Sequence, residues 1–501
     1  LKSGFLPYNI SQEVSHKKFL TSAFLTNMIN RRAFLRTSLA ASALAFGAVP
    51  VSVLGQQHSA DVLVLGAGLA GLYAARLLEA EGKSVIVLEA DTRVGGRLYT
   101  LPDDLGKAFG VKLSDTGGVE VGDTYKRLLG LAAELGVGVE EPPRAASSDV
   151  CLNIGGTMVR LADWATSAAN QLAPSEKALV PMRLESALMM PHNPLKTLDD
   201  WYKPAFAAFD VAVSDFLRSK GVSQEALRLI NVAANTNDIA TTSALNVFRS
   251  LTFRAASGST KTLRIAGGSS RLPEAMAKAL QRPVQYGKRV ESIERSADRV
   301  TVGCADGTRY TAAACICTLP FPALRRVILA PALTGVYAEA VQSLPYTAIT
   351  QIYLAPTKEF WRDDGFAPTM WSDSPLERVF AFQAADTVKY FTIWLNGVGA
   401  QRADAMGLAN LKRFVLDEMA RLRPSSRGAL EVVHVYSWSL NPFAGGAYMH
   451  LAPGQAARFF PALTEPLGRL VFAGEHLALQ NNGMEGALES AASAVARILK
   501  G

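Results

Sequence analysis

The sequence predicts an α/β protein: a Rossmann-like domain assembled from separated segments of chain, joined to a mixed α+β domain. Three observations carry this. An apolar run, a glycine turn and a helical pattern follow one another from Asp61. A second glycine turn with a helix recurs at Gly267 and Gly268. A third strand, turn and helix close the chain from Gly468.

The first of these stretches runs from Asp61 to Thr100. Val62 to Leu65 has the length and composition of a buried parallel strand. Gly66, Gly68 and Gly71 follow at dinucleotide-binding spacing. The first glycine permits the tight turn, the second lets backbone approach a pyrophosphate, and the third lets helix and strand pack closely. Leu69 to Ala80 reads as a helix whose N-terminus offers free amides to the phosphates. A second strand, Val85 to Leu88, ends in Glu89, placed to bind a ribose hydroxyl pair.

Arg93, Gly95, Gly96 and Arg97 come next. A nicotinamide site has no need of this second glycine turn. The arrangement resembles the flavin-containing amine oxidase family, which includes the monoamine and L-amino acid oxidases. The resemblance implies FAD, with the second turn wrapping its pyrophosphate, Glu89 on the adenosine ribose and Arg97 on phosphate. It runs from about residue 60 to 501.

The chain begins with 501 residues' worth of core-forming capacity: 49% apolar and 19% charged residues describe a globular protein. The net charge of +7 is spread without a long basic run in the mature region, which argues against nucleic-acid binding. Residues 1–57 read as a leader. Asn30 to Arg36, NRRAFLR, resembles a twin-arginine export signal, with Thr37 to Leu54 as its weakly apolar region. Gly47 and Pro50 interrupt that stretch, so a stable membrane span is not expected. Cleavage is expected between Ala48 and Ala60, with Met28 as the natural start. A periplasmic or secreted location follows. Cys151, Cys304, Cys315 and Cys317 have no metal spacing and read as buried small residues; same-strand Cys315 and Cys317 make a poor disulfide.

The expected FAD-binding segments are 58–140, 262–329 and 436–501; the substrate-binding segments are 141–261 and 330–435. DTGGVEVGD, from Asp115, resembles a family glycine turn, followed by a helical pattern at Thr124 to Leu135. Residues 141–261 read as mostly helices, including Leu198 to Arg218 and Ser223 to Ala234. Strands are expected at Arg289 to Ile293, Arg299 to Cys304, Arg309 to Ala314, Ala348 to Leu354 and Tyr390 to Leu395. By resemblance, the backbone of Val290 pairs with adenine, and Gly474 and Glu475 make the last contacts with the ribityl and phosphate region. Met484 and Glu485, opening the last helix, would sit against the flavin pyrimidine.

The family oxidises a C–N bond by hydride transfer to flavin, giving an imine that hydrolyses to aldehyde or ketone. Five residues are candidates for the reaction. Tyr448 occupies the first position of the aromatic cage of monoamine oxidases, where a ring face stabilises a developing cation. Gly483 takes the second, leaving room for a bulkier substrate. Trp438 matches a tryptophan that borders the flavin. Lys261 falls where a cation would bind a substrate carboxylate, or else lies on a solvated loop. Gln351 replaces the lysine that most relatives use to hold a water at the reactive flavin nitrogen. His450 and His476 are expected to be structural. Ala447 replaces the cysteine that bonds flavin covalently in monoamine oxidases, so FAD is expected to be non-covalent. The substrate is then an amine or, alternatively, an L-amino acid. A desaturase or isomerase, or a redox-inactive FAD-binding protein, is remoter, because AGGAY and GMEGALES fit the amine oxidase branch. Without a cation at Gln351, reoxidation by dioxygen is expected to be slow. The protein is then expected to work partly or mainly as a dehydrogenase, with dioxygen or a periplasmic carrier such as a cytochrome or quinone as acceptor. A homodimer is expected.

Overall fold

A computed structural model describes residues 58–500, apart from 108–109, 111–112, 114, 143–149 and 385–386. The export motif, the apolar stretch after it and Met28 lie outside the described residues. Among the described residues, no helix is long and apolar enough to cross a membrane.

Two seven-stranded sheets organise the chain. In the first, the strand His58–Leu65 lies between Val85–Leu88 and Arg309–Cys317, parallel to both. Arg309–Cys317 also pairs in parallel with Leu470–Phe472, so strands far apart in sequence meet at its centre. Val300–Cys304, Val290–Arg295 and Ile328–Ala330 extend the sheet to one edge. Because successive side chains of a strand alternate, Val62 and Val64 enter one core while Leu63 and Leu65 enter another. That double burial explains the unbroken apolar run.

The helix Leu69–Ala80 covers one face of this sheet together with the last helix, Gly483–Lys500. Gly71 permits this packing: a Cβ there would sit 1.9 Å from the carbonyl oxygen of Gly66. All four cysteines are buried, as expected of small apolar side chains.

The second sheet runs Leu430–Ser437, Ile349–Pro356, Thr387–Asn396, Arg378–Ala384, Thr369–Ser372, Val150–Ile154 and Thr157–Arg160. The last two strands open the segment 141–261, whose described remainder is mostly helical as expected. Leu198 to Arg218 is not one helix. It holds two 3₁₀ turns and then the helix Val213–Ser219. Pro204 starts the second turn and lacks the N–H a continuous helix would need. By contrast Gln224–Ala233 is helical as expected, with Ser223 Oγ accepting from Ala226 N–H at its N-terminus.

Candidate active site

One elongated cavity of about 560 Å³ joins the glycine turns to Tyr448. The strand ending at Leu65 delivers the chain into Gly66, whose φ of +98° only glycine adopts readily. Gly68 then caps the helix Leu69–Ala80 without a side-chain bond, and no acidic residue stands in its first turn. The free amides and positive helix end therefore face the cavity. Gly68 bridges to Gly95, and Gly95 and Gly96, with φ of +102° and +56°, complete this wall.

Glu89 lies at the same end, and Val290 lines the same cavity. Its carboxylate accepts from Ala67 N–H at 2.7 Å and Asp91 N–H at 2.8 Å. Burial raises its pKa, and the two backbone bonds oppose that. Each oxygen keeps acceptor capacity for a further donor.

Towards the other end, Arg97 Nη1 donates to Glu475 at 2.7 Å and to the Ala447 carbonyl at 2.9 Å. This partly buried ion pair ties the second glycine turn to the Gly474–Glu475 turn. Tyr448, Gly483 and Met484 all line the cavity. Burial pushes the Tyr448 phenol up to about 12, so it stays protonated at neutral pH. At Gly483 no heavy atom lies within 4 Å of where a Cβ would be, so the missing side chain leaves open space.

Two expected contacts fall elsewhere, and two lie just behind the cavity wall. Lys261 is an exposed loop residue whose Nζ pairs with Glu141 at 2.8 Å, so it does not serve the cavity. Glu485 turns away from the cavity wall: its buried carboxylate accepts from the N–H groups of Arg127 and Leu128, capping the helix Lys126–Glu134. Only its neighbour Met484 faces the cavity, because adjacent helical positions point about 100° apart. Trp438 sits one layer behind the wall, with Nε1 donating to Thr116 O at 2.9 Å and its ring against Gly117. Gln351 is buried in that same layer, its Oε1 accepting from the hydroxyls of Thr116 and Tyr353. His450 and His476 are buried and held neutral by desolvation, at about 4 and about 3. His450 Nδ1 lies 3.0 Å from Thr347 Oγ1.

Sequence reasoning missed Glu185, on the helix Leu184–Met189. Burial raises its carboxyl to about 7, and its charge acts on Tyr448. No local motif marks it.

The donor set fits FAD. A row of glycines leaves room for a diphosphate, an uncapped helix end faces it, and a buried carboxylate waits at one end for ribose hydroxyls. Ala447, next to Tyr448 on the wall, carries no nucleophile for a covalent flavin link.

Known proteins agree. An "Amine oxidase [flavin-containing]" of Oncorhynchus mykiss is 26% identical over 472 residues, covering 88% of this chain and 86% of its own. A putative L-amino-acid oxidase of Bacillus subtilis (strain 168) is also 26% identical, covering 87% and 93%. Among solved structures, a putrescine oxidase triple mutant superposes with a TM-score of 0.73 at 22% identity, covering 89% of this chain and 99% of its own. Cyclohexylamine oxidase from Brevibacterium oxydans IH-35A gives 0.70 at 22% identity, with 88% and 99% covered. These two show a common fold. Residues 69–499 match the family described as "Flavin containing amine oxidoreductase", and the chain belongs to that family of FAD-dependent oxidoreductases.

Proposed function

We propose that this protein oxidises the C–N bond of an amine bound beside Tyr448. The observation that carries the reading is the continuity of one cavity from the glycine cradle and Glu89 to that ring. FAD, held by these residues, would supply the acceptor for a hydride, one proton with two electrons, from the carbon next to nitrogen. The substrate nitrogen loses a proton, and water then splits the imine into a carbonyl compound and ammonia or an amine.

The chain's own residues bind, orient and exclude water. The Tyr448 ring stays a neutral phenol, and in a buried site its face stabilises positive charge growing on nitrogen better than it would in water. Arg97 and Glu475 hold the two glycine turns in register, fixing the cradle relative to Tyr448. Gly483 leaves the opposite side open to a bulky group.

Gln351 brings no charge to its layer, and its oxygen is engaged by Thr116 and Tyr353. This supports slow reaction of the reduced enzyme with dioxygen and a separate electron acceptor, such as a cytochrome or quinone. The NRRAFLR segment supports export to the periplasm, where such carriers work. Anaerobic mixing with a panel of primary and secondary amines tests the main reading: flavin absorbance should bleach with at least one. A flavin that stays oxidised with every amine and amino acid tried removes it. For the acceptor, Gln351→Lys should speed reoxidation by dioxygen; fast reoxidation of the unaltered enzyme would refute the proposal.

A further inference from the structure

The cofactor cavity has a rim whose chemistry the reading above does not use. Two stretches of chain build it. Arg326 and Val327 line the cavity from the first stretch, and Asn441, Pro442 and Phe443 from the second. The two are joined: Arg326 Nη2 donates to the Pro442 carbonyl oxygen.

Beside each stretch a large apolar side chain stands in water. Ile328 follows Val327 and is 70% exposed; Leu440 precedes Asn441 and is 67% exposed. No other large apolar side chain among the described residues is as exposed. Ile328 opens Ile328–Ala330, the edge strand of the first sheet, and that edge carries no further strand among the described residues. Pro331 and Ala332 continue the exposed apolar surface. Single exposed apolar residues are ordinary, whereas a cluster of them rimmed by charge marks an interaction site.

The charge here is of one sign. Arg295, Arg325 and Arg326 stand among these residues, and their hydrogen bonds go to backbone carbonyls. Arg325 donates to Val341 O at 2.7 Å and to Leu344 O at 2.8 Å, and Arg295 donates to Pro331 O. Such bonds hold a guanidinium in place without cancelling its charge. The acids on adjoining elements are occupied elsewhere: Glu294 pairs with Arg309, and Glu339 with Arg458. A fixed cationic surface without counter-charge suits an acidic partner. It does not suit a second copy of this chain, because a two-fold interface here would set the same arginines against each other.

The rim also leads to the reacting end of the cavity. Pro322 lies against Gly445, where a Cβ would sit 2.5 Å from the Pro322 Cβ. Two residues on is Ala447, at the position where monoamine oxidases bond their flavin, and Tyr448 follows it. The rim therefore joins solvent to the wall beside the flavin over a few residues of chain.

We infer that this rim is the docking surface for the electron acceptor, and that the acceptor is a one-electron carrier protein whose contact face is acidic around an apolar centre. This rests on the proposal that the reduced enzyme reacts slowly with dioxygen. Each amine oxidised to an imine yields two electrons and two protons. Two carrier molecules take one electron each, and the protons pass to water. The arginines steer the carrier in, and Ile328 and Leu440 give the contact a dry centre. A small interface suits a carrier that leaves after each electron.

The test uses FAD-loaded enzyme reduced anaerobically with dithionite, so it needs no knowledge of the substrate. It is mixed with an oxidised acidic plastocyanin or an oxidised basic cytochrome c, whose colour reports each electron. Plastocyanin should be reduced faster, and its rate should fall roughly tenfold or more from low to high salt. Calorimetry should show oxidised enzyme binding plastocyanin without turnover. Ile328→Glu with Leu440→Glu places acids on the rim at exposed positions, where folding is not at stake. The pair should weaken that binding and slow plastocyanin reduction roughly tenfold or more, with the dioxygen reaction unchanged. Arg325→Gln should flatten the salt dependence. Equal plastocyanin rates in all variants, faster reduction of the basic cytochrome, or a dimer that dissociates on Ile328→Glu overturns the inference. So does a water-soluble quinone reduced faster than plastocyanin and equally in every variant. Fast reoxidation of the unaltered enzyme by dioxygen removes the acceptor proposal and this inference with it; slow reoxidation with equal plastocyanin rates removes the docking surface alone.

Discussion

Glu485 offers a sharp test, because sequence and structure give it different work. By motif it belongs to the flavin site; in the structure it caps a different helix. Its carboxylate accepts from Leu128 N–H at 3.1 Å, from Arg127 N–H at 3.0 Å and from Arg127 Nη1 at 3.2 Å. The Arg127 side chain is 39% exposed, so that ion pair adds little once water screens it. The two backbone bonds matter more. A hydrogen bond to a charged group contributes about 1.5–3 kcal/mol, and loss of an N-cap alone costs about 1 kcal/mol. Glu485→Ala should therefore destabilise by about 3 kcal/mol. Glu485→Gln, which keeps one acceptor oxygen, should cost about 1–2 kcal/mol. Unfolding entropy of about 2.1 cal/mol/K per residue over roughly 440 residues converts 3 kcal/mol to a fall of about 3 °C in Tm. The assay is thermal unfolding with excess FAD, alongside the ratio of flavin to protein absorbance after gel filtration. The expected result is a lower Tm with full flavin content and an unchanged flavin spectrum. Lost flavin at an unchanged Tm would refute the capping argument and restore the contact expected from sequence.

Four further outcomes are expected. Gly71→Ala should yield no folded, FAD-loaded protein, since its Cβ meets the Gly66 carbonyl at 1.9 Å; a yellow soluble variant would contradict the close packing of turn and helix. Tyr448→Ala should keep FAD and slow anaerobic flavin reduction by roughly tenfold, the scale of about 1–2 kcal/mol for a desolvated cation–π contact; an unchanged rate would place the ring outside the reaction. Acid precipitation should release the flavin into the supernatant, because Ala447 cannot bond it; colour in the pellet would show a link from another residue. His476, held at about 3 in the folded state against 6.5 unfolded, binds fewer protons folded than unfolded. Its contribution is complete above pH 6.5 and lost as pH falls towards 3. His476→Phe should therefore show a flatter decline of Tm between pH 7 and 5 than the unaltered protein, and an equally steep decline would clear His476 of that role.

The parts legible in the sequence were those whose physics is local. The turn at Gly66, the helix Leu69–Ala80 and the strand ending at Leu88 fall where glycine sterics and apolar runs put them. Tyr448 and Gly483 could be found because short glycine-rich motifs surround them. Other features depend on partners far along the chain. Lys261 is drawn off by Glu141 across a loop, and Glu485 by amides 357 and 358 positions away. The strand Val150–Ile154 acquires its identity by pairing with Thr369–Ser372, and nothing in VCLNI distinguishes it from a buried helical turn. The break within Leu198 to Arg218 falls at Pro204, a residue that stops a helix by itself.

The Arg97–Glu475 pair also has a consequence for the time course of synthesis. Its two residues stand 378 positions apart, and the central strand His58–Leu65 waits for Arg309–Cys317 to cover its second edge. At about 5–20 residues per second, that edge stays open for roughly 10–50 s on the ribosome, and the clamp forms only as the last helix emerges. An uncovered apolar strand is a site for wrong pairing during that interval. Flavin can be gripped from both sides only after Glu475 has been made, so a nascent chain cut short before Glu475 carries half a cradle. Cofactor supply therefore cannot rescue truncated chains, and whatever guards the newborn protein must act on the bare first strand, before any colour appears.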